Sequence, residues 1–568
     1  MTKKQISKDP YTSGWIEDDL YYRGEAPPKD DRWSDRDWVY LPHENYIPIS
    51  KARVIRALLK EVEDFIDNNQ AEKFIDLLEG IYHFHYHKVL NELKEDYEYF
   101  SPAIGDQMRE GISDEELDQR QRNFMINLFK LMIRGNFNPL GEKEYAQAEE
   151  HNYLLDLPIE VNWKIKDPQI FTDLFQYANS PQGKETVQNK IGVSNLEEYL
   201  NIPQIFNQRI LVFHRGIEPT RVEDTFLLQK INRLTEGVFE WVFHKFTKSK
   251  TSSKKSSNTQ EAIPFAQKNT PFPEELSSGT VFLPRWIRRI SLHNIALPFR
   301  SLFKPTLLQE PTMERVIAIF RLHPQPQRTL MQKLPFLHRF AKPVEPQGVD
   351  RTLYVKLFQN IPLADLEIIF PEKTIHMRSF DKFMLFFLGT TGIFLGVLKG
   401  LESGKGILFI ILSVLALLVI KTITRFVNTR RRYMLQMSQD LYHKNLDNNV
   451  GVIQYLVDNI EDQEFKESFI AYMLLHKSPT PLTAKELDAE AEVFINKYFK
   501  DVEIDFEIDD ALAKITEAQE SPQMGSTELQ LPLITTIIGE DGVVRYQAKN
   551  MSDALTAMDK QWDNFFRY

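Results

Sequence analysis

Two apolar runs stand out in a chain whose other segments mix polar and apolar positions. Residues 383–398 and 407–420 carry almost no polar side chain, and the polar loop KGLESGK separates them. The runs are about 16 and 14 residues long, whereas a helix that crosses a bilayer needs about 20. Neither run has the polar face that a helix in an aqueous domain usually keeps, so we expect a two-helix transmembrane hairpin within residues 376–425. The alternative is a helical pair buried in an aqueous core.

Long cations lie at the ends of both runs. Their aliphatic stems can lie in the bilayer while the charged heads reach water, which extends each span. Lys and Arg are also enriched before and after the hairpin, so the positive-inside rule places both termini in the cytoplasm. The predicted membrane-interface residues are Lys382, Lys399, Lys405, Lys421 and Arg425.

Three glycines recur at four-residue spacing near the first run. Gly392, Gly396 and Gly400 would share one helix face and allow close helix packing in the membrane. The expected partner of this face is the second helix of the same hairpin. The alternative is the same face of a second copy, which would make a homo-oligomer.

Outside these runs, periodicity predicts a mostly α protein. Apolar positions at three-to-four spacing predict helices, and alternating segments predict strands. Two helices followed by an apolar hairpin around Glu-Asp-Gly predict a winged-helix-like order at the end of the chain. The predicted fold class is mostly α with a small α+β sheet region, a two-helix transmembrane hairpin and a C-terminal winged-helix-like module. Helices are predicted at 50–100, 115–135, 167–200 and 222–246, and strands at 209–216, 315–321, 352–360 and 366–370.

These patterns divide the chain into seven segments. They are an irregular lead-in (1–45), a helical cytoplasmic domain with a strand near 209–216 (46–245), a flexible Ser/Lys-rich linker (246–280), an α+β segment (281–375), the transmembrane hairpin (376–425), a helical segment (426–478) and an acidic winged-helix-like module (479–568).

Composition narrows the classes of function. The net charge of -11 argues against a general nucleic-acid binder, and between 482 and 520 four lysines face twelve acidic residues. The absence of cysteine excludes disulfides, thiol catalysis and cysteine-ligated zinc. The first residues lack an apolar core and carry acidic side chains, which is not typical of a signal peptide or an organelle presequence. We therefore expect membrane insertion to be specified within the chain, and we expect no cofactor.

One histidine cluster is a candidate metal site. The segment HFHYHKV holds His83, His85 and His87 at alternate positions. The surrounding pattern is helical, and on a helix only His83 and His87 share a face. Such a pair can hold zinc, but it needs a third ligand. The alternative is a helix face rich in Tyr and His that packs against its neighbours.

A basic and aromatic stretch covers residues 282–305. It contains no acidic residue, and cations beside aromatic rings suit an anionic lipid surface. The alternative is a basic strip packed on the acidic body of the same protein. The candidate lipid-surface residues are Arg285, Trp286, Arg288, Arg289, Arg300 and Lys304.

Several segments together resemble one known family. They are WVYLPHENYIPISK, LVFHRGIEP, YVKLFQNIPLADLEIIFPEKTIHM, LYHKNLDNNVGVIQYLVDNIEDQEFKESFIAYMLL and ALTAMDKQWDNFF. They are similar to the uncharacterised membrane-protein family that includes transmembrane protein 143, from about residue 40 to the end. The resemblance implies a two-span membrane protein and supplies no catalytic residue. Mitochondrial members have targeting N-termini that this sequence lacks, so the expected location is a bacterial cell membrane.

The leading hypothesis is a membrane-anchored protein that faces the cytoplasm and binds or scaffolds an unknown protein partner at the lipid bilayer. No catalytic motif supports an enzyme. Two alternatives remain open: a metal-dependent enzyme that uses the histidine cluster, and an oligomeric pore built from the hairpin.

Overall fold

The fold is known from a computed structural model of the chain. It describes residues 14–16, 21–23, 38–41, 45–149, 159–163, 166, 169–206, 208–226, 230, 285–290, 303–322, 350–371, 373–375, 417, 420, 421, 424, 427, 428, 431, 432, 434, 435, 437–499, 504, 506, 508–516 and 529–566.

Helices make up most of the described chain, and local sequence signals mark their ends. Ser113 accepts a hydrogen bond from the Glu116 backbone and begins a helix there. Gly192 ends another helix at a φ of 80°, a conformation that favours glycine. The helices are α1 (Lys51–Val62), α2 (Asn68–Glu98), α3 (Gly105–Met108), α4 (Asp114–Arg134), α5 (Glu142–Glu149), α6 (Gln169–Asn179), α7 (Pro181–Ile191), α8 (Leu196–Leu200), α9 (Val450–Lys477), α10 (Ala484–Tyr498), α11 (Ile508–Ile515) and α12 (Met551–Asn564).

Thirteen described strands form four sheets. The largest is a five-stranded antiparallel sheet in the order β11-β9-β8-β6-β4, and a four-stranded sheet has the order β1-β2-β7-β3. The strands are β1 (Gly14–Ile16), β2 (Tyr21–Arg23), β3 (Trp38–Leu41), β4 (Asn138–Pro139), β5 (Ile159–Val161), β6 (Ile210–Asp224), β7 (Arg285–Arg288), β8 (Thr306–Arg321), β9 (Leu353–Pro362), β10 (Lys373–Ile375), β11 (Asn445–Asn448), β12 (Ile534–Ile538) and β13 (Val544–Ala548).

The five-stranded sheet separates two hydrophobic cores. Side chains alternate along β6, so that Leu211 and Phe213 face one core and Ile210 and Val212 face the other. The larger core contains residues from Ile47 to Met558 and is built by helices from both ends of the chain. Its centre is α9, which packs against α2.

Two secondary-structure predictions need correction. Residues 222–224, predicted to begin a helix, are the end of β6, which continues far past the predicted strand 209–216. The segment 366–370 was predicted as a strand but belongs mostly to a 3₁₀ helix, Leu363–Ile369. The Ala364 N–H donates to the Glu310 carboxylate at 3.0 Å. This hydrogen bond holds the first turn of the 3₁₀ helix against β8.

The predicted two-helix transmembrane hairpin is contradicted, and with it the location as a two-span membrane protein with both termini in the cytoplasm. Among the described residues, no helix is both long enough and apolar enough to cross a membrane. The longest helices, α2 and α9, carry charged residues throughout. Both apolar runs are also shorter than the roughly 20 residues that a bilayer core requires. Apart from Leu417 and Ile420, the runs lie outside the described residues.

Candidate protein-docking surface

The C-terminal hairpin, residues 534–548, is held firmly at its base. Tyr546 of β13 exchanges two backbone hydrogen bonds with Leu482, which precedes α10, at 3.0 and 2.7 Å. Ile534 of β12 forms a parallel bridge with Thr516, which follows α11. The Leu533 N–H also donates to the Ile515 carbonyl at 2.9 Å. The hairpin therefore starts from a fixed position beside α10 and α11.

The turn of the hairpin is fixed by its own side chains. Arg545 donates two hydrogen bonds to the Asp541 carboxylate, at 3.0 and 2.6 Å, and the Val543 N–H donates to the same carboxylate at 3.1 Å. These contacts lower the pKa of Asp541. Gly542 has a φ of 75°, which glycine adopts without strain. The tip is thus a defined structure, although it extends away from the core.

The tip exposes four apolar side chains. The exposed fractions are 69% for Ile538, 40% for Val544, 42% for Val543 and 38% for Ile537. Ile538 and Val544 are direct cross-strand partners, so they form one continuous apolar surface. Ile534 lies on the same face of β12 and is fully buried in the larger core. A core-facing row of side chains therefore continues past the edge of the core into solvent.

Two acidic side chains lie near the hairpin. Burial raises the pKa of the Tyr546 hydroxyl, and the negative charge of Asp509 on α11 raises it further. Glu540 is exposed in the turn. We call the apolar tip, with the exposed Glu540 in its turn, the docking surface.

A buried charge network joins α11 to α9 beneath the docking surface. The Lys514 ammonium lies 3.0 Å from Glu467, 3.6 Å from Glu464 and 2.5 Å from Asp510. Burial raises the pKa of Glu467 to about 7 despite the attraction of Lys514. Gln463 donates to the other Glu467 oxygen at 2.6 Å. One ammonium thus faces three carboxylates, and burial favours the neutral form of Glu467.

The three histidines of the candidate metal site do not converge. His83 and His87 are exposed on the same face of α2, with ring centres 6.0 Å apart. The His83 Nδ1 lies 3.2 Å from a carboxylate oxygen of Glu461 on α9. Burial lowers the pKa of His85, which lies near Glu464. In the part of the chain that the structure describes, no group of three or more His, Cys, Asp or Glu side chains could hold a metal ion.

Residues 285–290 of the basic and aromatic stretch are buried or half-buried. Residues 285–288 are β7, which pairs with β2 on one side and β3 on the other. Trp286 and Arg289 are 7% and 2% exposed. The Arg289 guanidinium donates to both oxygens of the buried Glu310, at 3.0 and 2.6 Å. Arg289 therefore fits the alternative of a basic segment packed on acidic groups of the same protein. Lys304 is exposed, and Arg300 lies outside the described residues.

The remaining predicted residues belong to the apolar runs. Lys421 is helical and exposed. The others lie outside the described residues: Gly392, Gly396, Gly400, Lys382, Lys399, Lys405 and Arg425.

The buried ion pairs were missed by sequence reasoning. Arg289 and Glu310 lie 21 positions apart, and Glu467 and Lys514 lie 47 apart. No local spacing brings such residues together, and charged side chains predict an exposed position by default. The apolar tip could have been predicted from the sequence, because the run LITTII extends to the turn without a charged residue.

Comparison with known proteins finds one family match. The model of a family described as a protein of unknown function (DUF3754) matches residues 314–451. The match runs from within β8 to the start of α9 and does not include the docking surface. It carries no link to transmembrane protein 143 or to membranes. No solved structure matches the chain.

Proposed function

We propose that this protein is a binding or scaffold protein that docks a partner protein through the surface at the tip of the C-terminal hairpin. The observation that carries this proposal is the pairing of Ile538 with Val544, which leaves two β-branched side chains side by side in solvent. Burying one such side chain stabilises a complex by about 1.5–3 kcal/mol. An exposed apolar cluster rimmed by polar groups is typical of a protein interaction site.

The rigid base of the hairpin supports this function. Leu482 exchanges two backbone hydrogen bonds with Tyr546, and the Ile515 carbonyl accepts one from Leu533, so the hairpin is held before any partner arrives. A preformed surface loses little conformational freedom on binding, so more of the contact energy appears as affinity. The exposed Glu540 in the turn favours partners whose charge is compatible with it.

A pair of matched variants tests the proposal. The tagged full chain is expressed in its own cell type, and the proteins that purify with it are identified by mass spectrometry. Ile538→Gln with Val544→Gln removes the apolar contact without changing charge. Val493→Gln makes the same change at a single exposed valine of α10, which is 67% exposed. We expect one co-purifying protein to be lost with the double variant and retained with the control.

The opposite result would reject the proposal. If every co-purifying protein is retained by the double variant, and its circular dichroism matches the parent, the tip is not the docking surface.

Membership of the family that includes transmembrane protein 143 is also a proposal. Similarity to the family that includes transmembrane protein 143 rests on the segments quoted above, of which the matched region 314–451 covers a part. That family supplies no activity, so the assignment adds no step to the function proposed here.

A further inference from the structure

Residues 45–49, which we call the strap, lie along α9 and are bound by side chains of that helix. The Ile47 N–H donates to the Gln463 Oε1 at 3.0 Å, and the Gln463 Nε2 donates to the Asn45 carbonyl at 3.3 Å. The Ile47 N–H can only donate, so the Gln463 atom that it meets must be the amide oxygen. One side-chain amide therefore satisfies both a donor and an acceptor of the strap.

The same amide contacts the buried Glu467, one turn further along α9. The Gln463 Nε2 donates to one oxygen of the Glu467 carboxylate at 2.6 Å, and the Lys514 ammonium of α11 donates to the other oxygen at 3.0 Å. Both oxygens accept a hydrogen bond, which is the pattern of an ionised carboxylate. Gln463 is thus oriented by the strap on one side and by ionised Glu467 on the other.

We propose that Glu467 is a proton-controlled latch, which holds the strap through Gln463 when its carboxylate is ionised and loosens the strap when its carboxyl is neutral. The latch is a regulatory device and does not depend on the docking function proposed above. It follows from the donors and acceptors that meet at Gln463 and Glu467.

A proton from solvent can bind only one oxygen of Glu467 without breaking its ion pair. The ammonium of Lys514 can only donate, so the oxygen that it meets must remain an acceptor. The proton therefore binds the oxygen that faces Gln463. The new hydroxyl then needs an acceptor, and the Gln463 amide supplies one by turning over, which exchanges the places of its oxygen and nitrogen.

The reversed amide cannot hold the strap in the observed way. Its NH₂ group would face the Ile47 N–H, and its oxygen would face the Asn45 carbonyl. Two donors would then oppose each other, and so would two acceptors. Ile47 is buried, so its N–H would lose its acceptor at a place where water does not replace it.

Lys466 limits the change to the first part of the strap. Its ammonium donates to the carbonyls of Ile47 and Ile49, at 2.7 and 3.1 Å, and lies 2.9 Å from Asp462. These contacts are made without Gln463. Protonation of Glu467 should therefore loosen residues 45–47, while Ile49 stays bound to α9.

The charges near the latch place its transition close to neutral pH. Burial raises the pKa of Glu467 to about 7, although Lys514 opposes the rise, and the negative charge of Asp510 adds to it. The strap is therefore held above this pH and loosened as the pH falls through it. The titratable and charged groups around Glu467 are Tyr82 of α2, Arg134 of α4 (through Glu464), Glu464 and Lys466 of α9, and Asp510 and Lys514 of α11.

Hydrogen–deuterium exchange of the unaltered full chain tests the latch at the Ile47 amide. Fragmentation in the mass spectrometer resolves this amide, and dividing its rate by the intrinsic rate at each pH gives its protection. The reference is the Leu353 N–H, which donates to the Phe100 carbonyl at 2.9 Å. Between about pH 8 and about pH 5.5, we expect the protection of Ile47 relative to Leu353 to fall by about tenfold, the size expected for one lost hydrogen bond.

Two matched substitutions identify the responsible carboxylate. In Glu467→Gln the single side-chain oxygen must face Lys514, so the NH₂ group faces Gln463 and turns that amide over. We expect weak protection of Ile47 at both pH values. The control, Glu461→Gln, removes another carboxylate of α9, which lies 3.2 Å from His83, and should keep the fall seen in the parent.

The latch is rejected if the protection of Ile47 relative to Leu353 is the same at both pH values in the unaltered protein, a comparison that needs no variant. It is also rejected if Glu467→Gln protects Ile47 as well as the parent does at about pH 8, or if Glu461→Gln abolishes the fall.

Discussion

Lys514 of α11 forms a buried ion pair with Glu467 of α9, at 3.0 Å. The pair connects the helix beneath the docking surface to the central helix of the larger core. Buried charges are costly unless they are paired, so this contact specifies how α11 sits on α9. The position of the hairpin, which is bonded to the end of α11, therefore depends on the core.

Removing the ammonium should destabilise the whole protein. Lys514→Met leaves Glu467 and Glu464 in the core without this counter-charge, at an expected cost of about 3–5 kcal/mol. Urea unfolding followed by circular dichroism measures the change. The control is Lys485→Met on the exposed side of α10, which should alter the free energy of unfolding by less than about 0.5 kcal/mol. Equal effects of the two variants would contradict a role for the buried pair.

The raised pKa of Glu467 predicts a specific pH dependence. Its ordinary value is 4.5, and in the folded state it is about 7. The folded state therefore holds a proton that the unfolded chain has lost, and this contribution to stability disappears as pH rises from about 4.5 through 7. Glu467→Gln cannot titrate, so its stability relative to the parent should improve between pH 5 and pH 7.5. A constant difference between the two proteins across this range would contradict the assignment.

Arg289 and Glu310 should show strong coupling in a double-mutant cycle. Arg289→Met alone leaves the buried Glu310 without its partner, at an expected cost of about 3–5 kcal/mol. Changing both residues to apolar ones, Arg289→Met with Glu310→Leu, removes the unpaired charge and should recover most of that loss. Denaturant unfolding of the four proteins measures the coupling. Additive effects would mean that the two side chains do not depend on each other.

Local patterns predicted the elements that local physics controls. The apolar spacing in 50–100 matches α1 and α2, and the predicted hairpin around Glu-Asp-Gly matches β12 and β13. In these segments one face packs on the core and the other faces water, so the period of the sequence follows the period of the structure. The structure also shows a local capping box, formed by Thr483 and Glu486, at the start of α10.

Features set by distant contacts could not be predicted in this way. The basic stretch suggested a lipid surface because Arg289 has no acidic neighbour in sequence, whereas in the fold it meets Glu310 on β8. The apolar runs suggested membrane helices because neither has a polar face and long cations lie at their ends. Their lengths, about 16 and 14 residues, are too short for a typical membrane span and argued against this prediction. Charge and hydropathy predict the environment of a residue only when its partners are near in the chain.

The central claim is that the tip of the C-terminal hairpin contacts a partner protein, and site-specific photo-crosslinking tests it most directly. A benzophenone amino acid replaces Ile538 in one full-length protein. In a control protein it replaces Phe65, an isolated apolar residue that is 55% exposed after α1. After irradiation in cells, we expect one discrete crosslinked product from position 538 and none of the same mass from position 65. No product from position 538, or the same product from both positions, would contradict the account.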